Sequence, residues 1–368
     1  MKSPAFRRLV LGLLCAIVLL FAAALLLPGL LSAHPDWVER WYAGKIYPAI
    51  TVAHARWIGH LPVSIGELAL YGLIALGIGL LVWAIVLLFR KNFRRLLLLA
   101  LSLCLFGGAM WLQFYAGWAF SHNRQPLAVS LGLDTAAGNT EELSALCSAL
   151  CAEAKALRTA LTDETGALVL PETDEMLAAV PSYYEALGKA HSLFSQPVGA
   201  PKPVLWSEGL SYLGITGIYL PFTHESNVNV HQSAFLIAAT AAHECAHQQG
   251  IAREDEANFA AYLACDASGD DAARYSGTML ALIYCGNALA KADPDAYAAL
   301  AAQYSDGIRS DLRAHSAYWK RYEGKAEEIA SAANDSYLKS HGQTAGVQSY
   351  GRMADLMLAT YRAGWILR

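Results

Sequence analysis

The sequence predicts a mainly α protein in two parts: three N-terminal transmembrane helices, then a mostly helical α+β domain with a short sheet. Three observations predict it. Of 368 residues 55% are hydrophobic and only 16% charged, and the mean hydropathy is +0.31, too apolar for an ordinary water-soluble chain. The apolar excess falls in the first third. Beyond it, long stretches rich in Ala and Leu are interrupted by one short segment of β-branched, aromatic and glycine residues.

Residues 9–32, 66–89 and 96–117 are each long enough to cross a hydrocarbon core, which takes roughly 20 helical residues. The first is too long for a signal-peptide core, and Leu31-Ser32-Ala33 before His34-Pro35 is a poor cleavage site, so we expect a retained helix. Lys2, Arg7 and Arg8 precede the first span, and Arg90, Lys91, Arg94 and Arg95 join the second to the third. Basic flanks stay cytoplasmic. Three crossings then expose the C-terminal part outside the cytoplasm. The connector 33–65 carries Trp37, Trp41, Tyr42, Tyr47 and Trp57, an expected aromatic belt at the outer interface. No ionisable residue of the kind that marks an ion path lies within a span apart from Glu67 at an edge, so residues 1–119 read as an anchor.

Residues 120–368 suffice for one sizeable domain. Helices are expected over 140–162, 173–193, 232–249, 254–266, 271–291, 294–303, about 304–339 and 346–364, and a strand within Ser211–Leu220. As an edge strand, 212–220 is a candidate for docking an extended peptide, with Tyr212, Gly214, Gly217 and Tyr219 as candidate substrate-binding residues. A hairpin that merely covers the helices is an equal reading. His224 and His231 flank it as expected surface or loop histidines. A net charge of −4 without a basic run argues against nucleic acid as a partner. Cys15 and Cys104 fall in spans. Cys147, Cys151, Cys245, Cys265 and Cys285 read as buried core residues, the first two being poorly spaced for a bridge.

His243-Glu244-Cys245-Ala246-His247 is the stretch that carries chemistry. At 100° per residue two histidines four apart lie about 40° from each other, so both imidazoles address one spot. Two neutral imidazoles suit Zn²⁺, and Glu244 beside them is free to act as general base. Gly250 is a plausible helix terminator, and a second helix is expected from Arg253, with acidic residues in its first turn. Glu254 and Glu256 are about 200° apart on that helix, so only one can face the metal. Glu254 shares its face with Asn258, whose amide is placed to support a ligand, and is the expected third ligand. The competing HExxHxxGxxH pattern fails because its last position is Arg253, a guanidinium that cannot ligate zinc.

HExxH followed by Glu254-x-x-Ala257-Asn258 resembles the gluzincin metallopeptidases, particularly the membrane-bound prenyl-protease-like and antitoxin-cleaving types. That resemblance implies Glu254 as zinc ligand and a zincin-like fold for 120–368. The segments GITGIYLPFTHESNVN, AHECAHQQGIAREDEANFAAYLAC and NDSYLKSHGQTAGVQSYGRMADL are similar to a bacterial membrane-protein family catalogued as domain of unknown function 3810, over most of the chain. It implies a bacterial membrane protein; with the basic flanks, the expectation is a multi-pass protein of the bacterial plasma membrane, N-terminus cytoplasmic. By resemblance only, Tyr350 and Tyr337 are candidates for stabilising an oxyanion. The expected function is a membrane-anchored zinc metallopeptidase with a peptide or protein substrate and the lipid bilayer as partners. The alternative is a zinc-dependent membrane sensor or regulator that binds or cleaves one dedicated partner. A vestigial structural site ranks last, because Glu244 is present.

Overall fold

Apolar composition makes the first helices, and their ends are set by polar residues. In the computed structural model, which describes residues 4–136, 138–341, 343 and 352–367, three helices are long and apolar enough to cross a membrane: α1 (Pro4–Ser32), α4 (Ile65–Phe89) and α5 (Phe93–Gly117). Between the first two run α2 (Pro35–Trp37), a π-helical stretch Val38–Ile46 and α3 (Tyr47–Trp57). The Asn92 side chain accepts the Arg95 N–H and starts α5 one short turn after α4.

The chain divides into two compact units. One comprises the residues up to Tyr47, Ile65–Arg124 and Pro221–Thr223; the other takes Pro48–Ser64, Gln125–Leu220 and everything from His224 onward. In the first unit α1 packs along α5, and a Cβ on Gly108 would sit 3.2 Å from the Phe21 ring, so that helix crossing is close. Glu39 of the π-helical stretch pairs with Arg124 at 2.8 Å. Of the five expected belt aromatics, Trp37, Trp41 and Trp57 are exposed, but Tyr42 and Tyr47 are buried. Tyr42 packs against the rings of Tyr47 and Phe120, each 5.7 Å away, which withdraws both tyrosines from the belt.

The second unit is helical from α6 (Leu127–Leu131), α7 (Thr140–Ala160) and α8 (Thr173–Ala190), through α9 (Ser207–Ser211), to α10 (Ile237–Gln248), α11 (Glu254–Ala267) and α12 (Asp271–Ala292). It closes with α13 (Pro294–Ala302), α14 (Asp306–Lys320), α15 (Lys325–Ser340) and α16 (Met353–Arg362). Asn139 and Glu142 form a reciprocal capping box on α7, and Asp270 caps α12. The core is the packing of α10 on α11 and of α11 on α12, with α7 along α12 and α8 across the first pair. Small residues bring these axes together: Ala239, Ala242, Ala260 and Ala264 have no exposed surface, and a Cβ on Gly277 would come within 2.6 Å of the Cys265 Cβ. All five cysteines of this unit are buried free thiols.

The sheet has three short strands, β1 (Lys202–Pro203), β2 (Gly217–Leu220) and β3 (Glu225–Val228), in the order β1-β3-β2. β1 runs parallel to β3, and β2 antiparallel to it with Gly217 opposite Val228 and Leu220 opposite Glu225. The expected strand is therefore shorter than predicted. Ser207–Ser211 is helical and Tyr212 to Thr216 turns, with Gly214 at φ 68°, so Tyr212 and Gly214 stand outside β2. The single helix expected over 304–339 is broken at Arg321–Gly324 into α14 and α15, because Gly324 is extended.

Candidate metal centre

Helix α10 presents His243 and His247 one turn apart, their ring centroids 4.7 Å from each other at 86°. The helix ends in a Schellman turn: Gly250 N–H donates to His247 O at 2.9 Å and Ile251 N–H to Ala246 O at 3.2 Å. Gly250 adopts φ 76°, a conformation that glycine takes without strain. The reversal sends the chain back as α11, whose first residue, Glu254, comes to the histidines. Its Oε2 lies 3.1 Å from His243 Nε2 and 3.7 Å from His247 Nε2.

The opposite ring nitrogens are fixed by acceptors. His247 Nδ1 is 2.7 Å from the carbonyl oxygen of Ile251, the residue that closes the turn. His243 Nδ1 is 2.8 Å from Asn258 Oδ1, one turn along α11 from Glu254. A carbonyl oxygen only accepts, so in each neutral ring Nδ1 carries the hydrogen and Nε2 presents its lone pair. Two such nitrogens and a carboxylate oxygen all lie within 4.8 Å of one another, a donor set that could hold a metal ion. Glu256 points elsewhere: its Oε1 accepts the Leu127 N–H at 2.7 Å, capping α6, and faces Arg253 Nη1 at 3.1 Å.

The charges of the cluster lean on one another. Burial opposes the Glu254 charge, but His247 and His243 outweigh it and hold the carboxyl well below the usual range. Burial likewise opposes a charged His247, and Glu254 overrides it, lifting that imidazole to about 9. Burial pushes the Glu244 carboxyl up to about 7, against the pull of His243 and His247. Glu244 is seated against the edge strand. The Tyr219 backbone amide hydrogen-bonds to it, and a Cβ on Gly217 would stand 2.5 Å from its Oε1. Its Oε2 is buried with no hydrogen-bond partner among the described residues.

A family model described as a protein of unknown function, DUF3810, matches residues 42–358. The chain belongs to the DUF3810 family. No curated protein and no solved structure matches it.

In this DUF3810 chain the structure thus brings together His243, Glu244, His247, Glu254 and Asn258, with Gly217 and Tyr219 of β2 against them. Tyr212 lies elsewhere, half exposed, its ring edge-on to Tyr322 at 4.9 Å. Gly214 faces Glu327, whose Cγ a Cβ there would approach to 3.0 Å. Tyr350 falls outside the described residues, and Tyr337 on α15 packs on His341. His224 lies in the turn that enters β3, as a loop histidine, but not at the surface. It is buried at φ 51°, and its Nδ1 bonds the Tyr219 hydroxyl at 2.6 Å. Tyr219 in turn places its ring 6.1 Å from that of His247. Tyr284 of α12 was missed altogether: burial pushes its hydroxyl up to about 12, and the Glu254 charge adds to this. In sequence it is one more tyrosine in an apolar helix, without a spacing that ties it to the histidines.

Proposed function

We propose that this chain is a membrane-anchored zinc metallopeptidase that hydrolyses peptide bonds outside the cytoplasm. The observation that carries the reading is the convergence of His243 Nε2, His247 Nε2 and Glu254 Oε2, with both Nδ1 atoms tied to acceptors. This donor set fits zinc, which takes neutral imidazole and carboxylate and keeps a further position for water. When bound, zinc supplies Lewis acidity that polarises a carbonyl and makes water acidic near neutral pH. His243, His247 and Glu254 would hold it.

Glu244 is the base. Its carboxyl is buried, adjoins His243 in the chain and keeps one oxygen without a hydrogen-bond partner among the described residues, as a general base requires. It receives the proton of the attacking water at its unpartnered Oε2 and passes it to the leaving amine. The Tyr219 amide and the bare Gly217 Cα keep that carboxylate facing the site. β2 is the edge strand of the sheet, so an extended peptide can add beside it. The basic clusters at Arg7–Arg8 and Arg90–Arg95 support a cytoplasmic N-terminus and an extracytoplasmic C-terminal unit.

The test is the metal content of the full chain in detergent, with cleavage of a quenched-fluorescent peptide library measured alongside. We expect one zinc per chain in the wild type and in Glu244→Gln, its loss in His243→Ala and Glu254→Ala, and peptide cleavage abolished by Glu244→Gln. A wild type that takes up no zinc from added metal overturns the proposal. Zinc binding without cleavage of any peptide replaces it with the sensor reading.

A further inference from the structure

Immediately before β2, the turn Tyr212–Thr216 and the break between α14 and α15 border a half-open cavity of about 440 Å³. Its walls are Ser211, Gly214, Trp319, Tyr322, Glu323 and Glu327. The aromatic surface is continuous: Tyr212 stands edge-on to Tyr322 at 4.9 Å, and Tyr318 lies 5.1 Å from Tyr322 and 5.0 Å from Trp319. Tyr318 is locked in place because its hydroxyl shares one hydrogen bond with Ser211 Oγ and another with His231 Nδ1. Three carboxylates accompany these rings. Glu323 and Glu327 line the cavity, and Glu208 accepts the Tyr322 hydroxyl at 3.4 Å. None of the three enters an ion pair among the described residues. The same aromatic group already holds one cation, for the Arg321 guanidinium lies 5.2 Å from the Tyr318 ring centroid.

Ring faces and unpaired carboxylates around one hollow are complementary to a cation with an apolar stem. We infer that this cavity receives a lysine or arginine side chain of the peptide. The inference rests on the peptidase reading for its choice of ligand and deepens it into a preference for basic residues. Geometry sets where that residue stands. Gly217 touches Glu244 and Gly214 lines the cavity, and three residues of chain span at most about 10 Å. A peptide extended along β2 advances roughly 3.3 Å per residue, so the basic residue lies within about three positions of the cleaved bond.

The experiment uses the full Glu244→Gln chain in detergent and fluorescently labelled, N-blocked and C-amidated peptides. Lysine, arginine, norleucine or glutamate is placed in turn at each position of an alanine-rich background, so that the side chain is the variable cation. Binding is read by fluorescence polarisation. At the favoured position, lysine and arginine are expected to bind about ten-fold more tightly than norleucine, which has the stem without the charge. That ratio should approach one in Glu323→Gln/Glu327→Gln, which keeps side-chain volume at one exposed and one partly exposed position, and also in Tyr322→Leu. Norleucine binding as well as lysine, a preference that survives both variants, or failure of every peptide to bind overturns the inference. Cleavage of the matched quenched peptides by the wild-type chain judges the peptidase reading separately. Basic selectivity in binding without any cleavage sinks that reading and leaves the subsite standing, whereas cleavage indifferent to lysine sinks the subsite alone.

Discussion

Asn258 shows how one amide turns a helical histidine into a directed donor. Its Oδ1 takes the His243 Nδ1 hydrogen at 2.8 Å, so Nε2 faces His247 and Glu254. Removing such a partner costs on the order of 10–100-fold in metal affinity. Asn258→Ala should therefore weaken zinc binding by about that factor, and Asn258→Asp should retain it, as read by competition with a chromophoric chelator. Gly217 acts on the base instead. A Cβ 2.5 Å from Glu244 Oε1 displaces the carboxylate without reaching the ligands, so Gly217→Ala should lower kcat by at least about ten-fold while zinc per chain is unchanged. His224 makes a separate prediction about acid stability. Burial, with His54 nearby, lowers its folded pKa from 6.5 to about 4. The unfolded chain then binds the proton more readily between those values, so stability is full above pH 6.5 and declines as pH falls toward 4. The loss from this group is roughly 3 kcal/mol at most, at 1.36 kcal/mol per pKa unit. His224→Asn, which tolerates the positive φ of 51°, should flatten that part of the melting-temperature profile between pH 7.5 and 4.5.

Between α10 and α11 a Schellman turn does two things at once: it reverses the chain to deliver Glu254, and its Ile251 carbonyl orients His247. Much of this was legible in the sequence, because helical spacing puts His243 beside His247 and Glu254 beside Asn258, and Gly250 marks the reversal. Spacing already favours Glu254, which shares a face with Asn258, and the fold adds that Glu256 is occupied with the Leu127 N–H and Arg253. Removing one side of that contact leaves a buried donor without its acceptor, which costs on the order of 1–3 kcal/mol. Glu256→Ala should accordingly lower the melting temperature yet leave the zinc stoichiometry intact, whereas Glu254→Ala should abolish the zinc. What the sequence hid is tertiary. Tyr42 and Tyr47 have the composition of a membrane-interface belt and are buried by their neighbours. The strand expected over ten residues survives in four, where pairing with β3 holds it, and Gly214 at positive φ turns the rest away. The break at Gly324 is masked by strong helix formers on both sides, yet it is this break that opens the aromatic, acidic cavity.

At the scale of the whole molecule, the basic residues set an expectation for the side of the membrane on which the candidate site lies. Arg90, Lys91 and Asn92 alone connect α4 to α5, so both helices bring basic residues to one end of a tight turn. The first turns of α1 carry Arg7 and Arg8. Short basic loops are retained in the cytoplasm, and they set orientation more strongly than acidic residues do. If α1, α4 and α5 each cross once, an odd number of crossings separates the start of α1 from all that follows Gly117. The same arrangement leaves Pro48–Ser64, which belongs to the helical unit, on the same side as the rest of that unit. Full-length chains carrying alkaline phosphatase at the C-terminus should then be enzymatically active and those carrying green fluorescent protein dark, with the reverse for reporters placed directly after Lys91. Replacing Arg90, Lys91, Arg94 and Arg95 by glutamine removes four of the seven basic residues that set the bias, so the C-terminal reporters should become mixed rather than invert. A bright C-terminal fluorescent fusion in the native chain would place the His243–His247–Glu254 cluster in the cytoplasm. It would leave the chemistry argued for it untouched and move its substrates to the other side of the membrane.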